Sequence, residues 1–278
     1  MIPDHRQIQA EVAAALAEDL GPGDASAELS DREQLSVAWL LCRDPGVIAG
    51  QAWANAAFHH LDPACRVDWQ VSEGQATSAG QRLARIEGCS HALLSAERTA
   101  LNFLQLLSGV ATTTRRYVEA VSDWPCCILD TRKTLPGLRL AQKYAVRVGG
   151  GHNHRLGLHD LIMLKENHLA AAGGIGQAVA AARKRWPTLM VEVETETLDQ
   201  VEQAITAGAD RIMLDNFSLE AMREAVKRVD GRAVLEASGG VELDHIQSIA
   251  ATGVNEISVG NLTKAVQPLD LSLRFATA

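Results

Sequence analysis

The sequence predicts an α/β protein in two parts: an N-terminal α+β, sandwich-like domain followed by an incomplete, irregular α/β barrel. Three observations predict this. Apolar, β-rich runs alternate with helix-like segments through roughly the last 150 of the 278 residues, and repeated βα units imply a parallel sheet with right-handed crossovers. The first ~110 residues mix strands and helices without that alternation. The length suffices for one large core or two smaller ones, and 47% hydrophobic with 22% charged residues is ordinary for a globular chain.

Taken in order, a helix is expected over Gln7–Leu20. Strands follow in "LSVAWLLCR" and "RVDWQV", and in "GQRLARIEG" with Leu83 and Ile86 as apolar members. A long helix starts near Ser90, with Leu94, Leu101, Leu104 and Leu107 as its apolar stripe. A domain boundary is placed at Ser108–Gly109, giving domains 1–108 and 109–278, with the last residues able to pack back on the first domain. Six strands are expected in the second part, at Cys126–Asp130, Leu161–Leu164, Leu189–Val193, Arg211–Leu214, Ala233–Leu235 and Glu256–Val259. Helices are expected over Gly176–Trp186, Thr197–Ala207, Leu219–Val229 and Leu243–Ala251. Thr197 and Ser218 suit N-caps, and Gly208 and Gly253 suit left-handed helix ends. A closed barrel of eight such units usually takes ~250 residues, so this one should be incomplete.

The net charge of −8 argues against duplex nucleic acid, which needs a broad basic face. The opening residues carry charges throughout and do not read as a signal peptide, and no run reaches the ~18 apolar residues of a membrane span. Five cysteines with no C-x-x-C pair read as free thiols in a reducing cytoplasm.

One segment departs from this acidic background. Asp130 to His168 holds seven Lys or Arg against three Asp or Glu, a local balance of +4, which leaves −12 for the rest. Clustered cations at a strand end suggest an anion to be held. In βα barrels the chemistry sits at the C-terminal ends of strands. Read in order, those positions give Arg132 and Lys133, then Lys165, Glu194, Asp215, Ser238-Gly239-Gly240 and Ser258-Val259-Gly260. Arg132 with Lys133 suits a carboxylate or phosphate clamp; an ion pair with Asp130 is the plainer reading. Lys165 could neutralise charge or form a Schiff base. Glu194 and Asp215 could hold a divalent cation or ribose hydroxyls, or act only as counter-ions. In "GGGHNHR", His152 and His154 could ligate a metal, but anion binding by His154 and Arg155 fits the context better. The "EASGG" and "SVGN" turns suit a phosphate held on backbone N–H groups.

The fragments "ERTALNFLQLLSGVAT", "ILDTRKTLPGLRLAQKYAVRVGGGHNHRLGL", "LKENH", "VEVET", "IMLDN", "LEASGG" and "ISVGNLT" stand in family order. Together they resemble quinolinate phosphoribosyltransferase, the carboxylating nicotinate-nucleotide diphosphorylase, from "EDLGPGD" to "LDLSLRF". Ala25-Ser26 replaces the usual aliphatic-Thr, and Asn261 stands where Ala is common. The resemblance implies a pentosyltransferase of NAD biosynthesis. It would condense quinolinate with phosphoribosyl pyrophosphate, releasing pyrophosphate and CO2 and giving nicotinate mononucleotide.

It further implies that Arg132, His154, Arg155 and Lys165 hold the quinolinate carboxylates and nearby phosphates, with Thr131 beside them and Lys133 on the pyrophosphate side. Glu194 and Asp215 would engage the ribose and a Mg²⁺ that arrives with the phosphoribosyl donor. Ser238, Gly239, Gly240, Ser258, Val259 and Gly260 would take the 5′-phosphate. Lys133, Lys165, Glu194 and Asp215 are the expected catalytic residues. Arg98 of "ERTALNF" would reach the partner's site, implying a cytoplasmic homodimer. Three alternatives remain at this stage: a paralogue tied to molybdenum transport, a barrel metallohydrolase using His152 and His154, and a non-catalytic anion-binding scaffold.

Overall fold

A computed structural model describes residues 4–29 and 34–276. The chain runs α1 (His5–Leu20), β1 (Leu35–Cys42), β2 (Gly46–Val47), α2 (Gln51–Leu61), β3 (Arg66–Trp69), β4 (Ala76–Thr77), β5 (Arg82–Cys89) and α3 (Ser90–Ala120). It continues with β6 (Cys127–Leu129), α4 (Arg139–Val148), β7 (Ile162–Leu164), α5 (Glu166–Ala172), α6 (Ile175–Arg185), β8 (Val191–Thr195), α7 (Leu198–Ala207), β9 (Arg211–Asp215) and α8 (Leu219–Val229). Last come β10 (Val234–Ser238), α9 (Ile246–Ala250), β11 (Glu256–Ser258), α10 (Asn261–Lys264) and β12 (Leu271–Phe275). Two compact units result: Met1–Arg115 with Leu135–Gly150 and Ala265–Ala278, and Arg116–Thr134 with Gly151–Lys264.

The first unit is built on an antiparallel sheet of order β12-β1-β5-β3. Alternation sets its faces: Ala38, Leu40 and Cys42 of β1 are buried, as are Ala84, Ile86 and Gly88 of β5, while Leu83 is buried at the bulge where the register shifts. The C-terminal strand β12 closes the β1 edge, with Leu40 opposite Leu273.

On α3 the buried stripe is Leu93, Leu101, Leu104 and Leu107, and Leu94 is 41% exposed. The expected stripe was set out of phase at its first turn. At about 100° per residue, Leu93 lies within roughly 20° of Leu104 after three turns, whereas Leu94 is roughly 80° away.

Helix α2 was not expected. Its first residues offer no Ser, Thr, Asp or Asn cap; instead the Glu73 carboxylate accepts the N–H groups of Gly50 and Gln51, at 2.6 and 3.2 Å. Tyr144 donates its hydroxyl to the same carboxylate at 2.9 Å, and Trp53 of α2 is fully buried with its ring 5.5 Å from that of Tyr144.

The second unit is a six-stranded parallel sheet of order β6-β11-β10-β9-β8-β7, with β6 and β7 at its edges. Its strands carry two chemistries in alternation. Val191, Val193, Ile212, Leu214, Leu235, Ala237 and Ile257 are buried on the face that α6, α7 and α8 cover. The other face carries Glu192 and Glu194, Met213 and Asp215, Glu236 and Ser238, and Glu256 and Ser258. Helices α7 and α8 begin and end within a residue of expectation: Thr197 and Gln200 form a capping box on α7, Ser218 accepts the Ala221 N–H on α8, and Gly208 closes α7 at φ 77°. Three of the elements expected in this unit differ by two residues or more: β10 runs on to Ser238, so Glu236 and Ser238 are inside the strand, and β8 and α9 also shift. β8 lies two residues later, so Glu194 is inside the strand, and α9 is limited to Ile246–Ala250.

Candidate active site

The site is assembled at the C-terminal ends of the second unit's strands. A cavity of about 420 Å³ gathers Thr131, Arg132 and Lys133 from the loop after β6, His154 and Arg155 from the segment between α4 and β7, and Lys165 from the end of β7. The strand residues Glu194, Asp215, Ser238 and Ser258 complete it, with Met163 and Met213 as apolar lining. A second cavity of about 510 Å³ shares Thr131, Lys133, Asp215, Ser238 and Ser258 and adds Gly239, Gly240 and Gly260. Asn216 and Lys264, not singled out from sequence, also line it, as does Asn261, noted in the sequence only as a departure from the family pattern. Fourteen of the fifteen expected binding positions lie on the second unit, and thirteen of these line one cavity or both. Arg98 is exposed on α3 in the first unit and lines neither cavity.

The cations are held open toward the cavity. Arg132 has its Nε buried with no hydrogen-bond partner. Burial opposes the charge of Arg155 and the Arg132 guanidinium adds to that, lowering its pKa. Two like charges sharing a half-buried wall call for an anion between them. Lys165 Nζ pairs with Glu194 Oε2 across neighbouring strand ends. Lys133 is set by its own main chain: its N–H is donated to Thr131 Oγ1 at 3.1 Å, and its carbonyl accepts the Thr263 hydroxyl at 2.9 Å. Asp130, read as a possible partner of Arg132, is fully buried and accepts the His154 N–H at 2.9 Å and Asn153 Nδ2 at 2.5 Å.

The phosphate-compatible loops need two qualifications. Val259 is buried and donates its N–H to Leu129 O at 2.9 Å, so that group is committed to the sheet. Gly239 has φ 98°, and a Cβ there would fall 2.2 Å from Asn216 Oδ1. Its glycine is therefore required by the protein itself, before any ligand is considered. Asn216 is left-handed as well, at φ 56°, with its N–H on Ser238 O at 3.0 Å and its amide on Asp215 at 2.9 Å.

Sequence reasoning missed a buried charged layer below the cavity. Glu192 and Glu236 are 0% exposed, and each presents a carboxylate oxygen to His154 Nε2, at 3.1 and 3.2 Å. Arg211 reaches both carboxylates at 3.8 Å and Glu256 at 2.8 Å. The signal was present: each Glu stands two residues before a strand-end site residue and so shares its face. Burial pushes the Glu192 carboxyl up, and the neighbouring Glu236 charge adds to this against the hydrogen bond from His154. Burial opposes the His154 imidazolium and the two carboxylates favour it, which raises its pKa, but a proton on Nε2 alone already serves both carboxylates. The Arg155 N–H works the other way: it approaches Nδ1 at 2.7 Å, leaving no room for a proton there. We therefore read the ring as the Nε2–H tautomer. His154, Glu192 and Glu236 form a group of metal-compatible spacing among the described residues, without His152. His152 is exposed and donates its N–H to Ile128 O at 2.8 Å, extending the β6 edge, so the two histidines do not form a metal pair.

Fold and site together define an α/β barrel-type protein with a cationic strand-mouth cavity beside a polar, glycine-lined one. The quinolinate phosphoribosyl transferase C-terminal domain model matches residues 110–274 and the N-terminal domain model residues 24–108. The solved nicotinate-nucleotide pyrophosphorylase of Francisella tularensis is 44% identical with a TM-score of 0.96, covering 98% of this chain and 97% of its own. That of Ehrlichia chaffeensis is 34% identical with a TM-score of 0.91, covering 95% and 97%. The chloroplastic nicotinate-nucleotide pyrophosphorylase (carboxylating) of Arabidopsis thaliana is 40% identical over 97% of this chain and 83% of its own. This chain belongs to the quinolinate phosphoribosyltransferase family.

Proposed function

We propose that this protein joins quinolinate to phosphoribosyl pyrophosphate, giving nicotinate mononucleotide, pyrophosphate and CO2 in de novo NAD biosynthesis. The observation that carries the reading is the buried, unpartnered Nε of Arg132, in a cavity shared with Arg155 and adjoining the glycine-lined one. A pyridine dicarboxylate supplies the two anions that such a wall lacks, and its flat ring suits the lining of Met163 and Met213.

In this reading Arg132 and Arg155 hold the ring carboxylates, and Lys165, kept in place by Glu194, approaches from the neighbouring strand. Lys133 and the Ser238–Gly240 and Ser258–Gly260 turns face the phosphates. Glu194 and Asp215 line the same cavity, a donor set that suits Mg²⁺, which commonly takes one or two carboxylates and completes its shell with substrate phosphates and water. Bound there, Mg²⁺ would neutralise the departing pyrophosphate.

The ring nitrogen attacks ribose C1 as pyrophosphate leaves. The C–CO2 bond then breaks, its electron pair stays on the ring carbon beside the pyridinium nitrogen, whose positive charge stabilises it, CO2 departs, and that pair takes up a proton. No covalent bond to the protein is needed, so positioning and fixed charge supply the catalysis. We further place the enzyme in the cytoplasm as a homodimer in which Arg98 completes the partner's site. The five cysteines, all free, suit a reducing compartment.

Purified protein given quinolinate, phosphoribosyl pyrophosphate and Mg²⁺ should release nicotinate mononucleotide and CO2 in equal amounts. Nicotinate in place of quinolinate should yield far less product, since one clamped carboxylate is missing. No mononucleotide from quinolinate, or equal turnover of nicotinate, would defeat the proposal.

A further inference from the structure

We infer that Glu192 and Glu236 are positioning residues of the quinolinate site: they fix the His154 ring, and the ring fixes the main chain of Arg155. The inference rests on the function proposed above and concerns residues below the cavity wall. Both carboxylates are fully buried within strands, where an acid is retained only if its charge has a use and a partner. Their shared partner is His154 Nε2, and the ring is 5% exposed. The opposite ring nitrogen accepts the Arg155 N–H at 2.7 Å, and the His154 N–H is itself held by Asp130 at 2.9 Å. The main chain at 154–155 is thus gripped from two sides, through one ring with a defined proton.

Two carboxylates facing Nε2 at 3.1 and 3.2 Å, an electrostatic contact more than an aligned hydrogen bond, fix which way the ring faces. A flipped imidazole would turn a carbon toward the carboxylates and withdraw the acceptor from Arg155. Arg211 reaches both carboxylates and is itself held by Glu256, which keeps the pair from drifting apart. A metal ion in this group would face the Arg211 guanidinium across the same two carboxylates and would have to displace the Nε2 proton. The arrangement therefore favours an anchored histidine over a cation site. Its output is the angle at which Arg155 leaves the main chain beside Arg132, and an error of about 1 Å in such a clamp is costly.

The test is a cycle of variants read by titration calorimetry. Glu236→Ala should raise the quinolinate Kd at least ten-fold, and Glu236→Gln, which keeps an acceptor for Nε2–H, should recover most of that. The Kd for phosphoribosyl pyrophosphate should move less than two-fold. In an Arg155→Lys background, Glu236→Ala should weaken quinolinate by no more than about two-fold, because the group it positions is already altered. An undiminished loss in that background, or equal loss of both ligands, would overturn the inference. Glu192→Ala repeats the cycle should the Glu236 variant not fold. Nitrogen-15 spectra of histidine-labelled wild-type protein without ligand should show His154 as the Nε2–H tautomer. Protonation at Nδ1 would overturn the inference, whatever becomes of the proposed reaction; quinolinate failing to bind the wild type would instead defeat that reaction.

Discussion

Arg132 and Gly239 show how differently two site residues were readable. The Arg132-Lys133 pair after an apolar run was visible as an anion clamp from residue types alone. The structure adds that its Nε is buried without a partner. Arg132→Ala should therefore weaken quinolinate binding by about 2–5 kcal/mol, the range for leaving a clamped charge unpaired, and calorimetry showing unchanged affinity would remove it from the clamp. Gly239 was read as a point of close approach by phosphate, but its nearest constraint is Asn216. No local pattern reveals this, because Asn216 is 23 residues away and meets it only once β9 and β10 pair. A left-handed site with a sub-contact Cβ should cost about 1–3 kcal/mol in Gly239→Ala. Adding Asn216→Ala should return part of that loss in urea unfolding. A double variant no more stable than Gly239→Ala would show that the collision is not the cause.

Among the elements, legibility followed how local the stabilising signal is. Helices α7 and α8 were placed within a residue because Thr197, Ser218 and Gly208 cap them from adjacent positions. Helix α2 escaped because its cap is Glu73, more than twenty residues on. On α3 the period was plain but its phase was not, since Leu93 and Leu94 are both candidates until the packing partner is known. Leu93→Ala should cost about 2–5 kcal/mol by emptying a fully buried position, and Leu94→Ala only about 0.5 kcal/mol. Equal losses in chemical denaturation would contradict the assigned face. The buried glutamates of β8 and β10 were overlooked for a related reason. Charges inside short apolar strands look like interruptions until the strands are seen to share one inner face.

For the whole molecule, the uneven charge was the most informative global feature. A +4 segment inside a −8 chain locates the wall of a site for polyanions, and most of the cations in the two cavities come from it. What composition could not give is which anion, or whether a second copy of the chain takes part. If Arg98 serves the partner's site, Arg98→Ala and Lys165→Ala should each be nearly inactive, and mixing them should restore about a quarter of wild-type turnover. Random pairing makes half the dimers hybrid, with one intact site in each. Hybrid dimers confirmed by mass but without activity would return Arg98 to its own chain.

The central claim is that the cavity at the ends of β6 to β11 takes the ring dicarboxylate. A crystal of the protein soaked with quinolinate tests it most directly. The account predicts the ring between Met163 and Met213, with one carboxylate on Arg132 Nε and the other within reach of Arg155 or Lys165. A ring seated in the neighbouring glycine-lined cavity, with Arg132 still unpartnered, would contradict it.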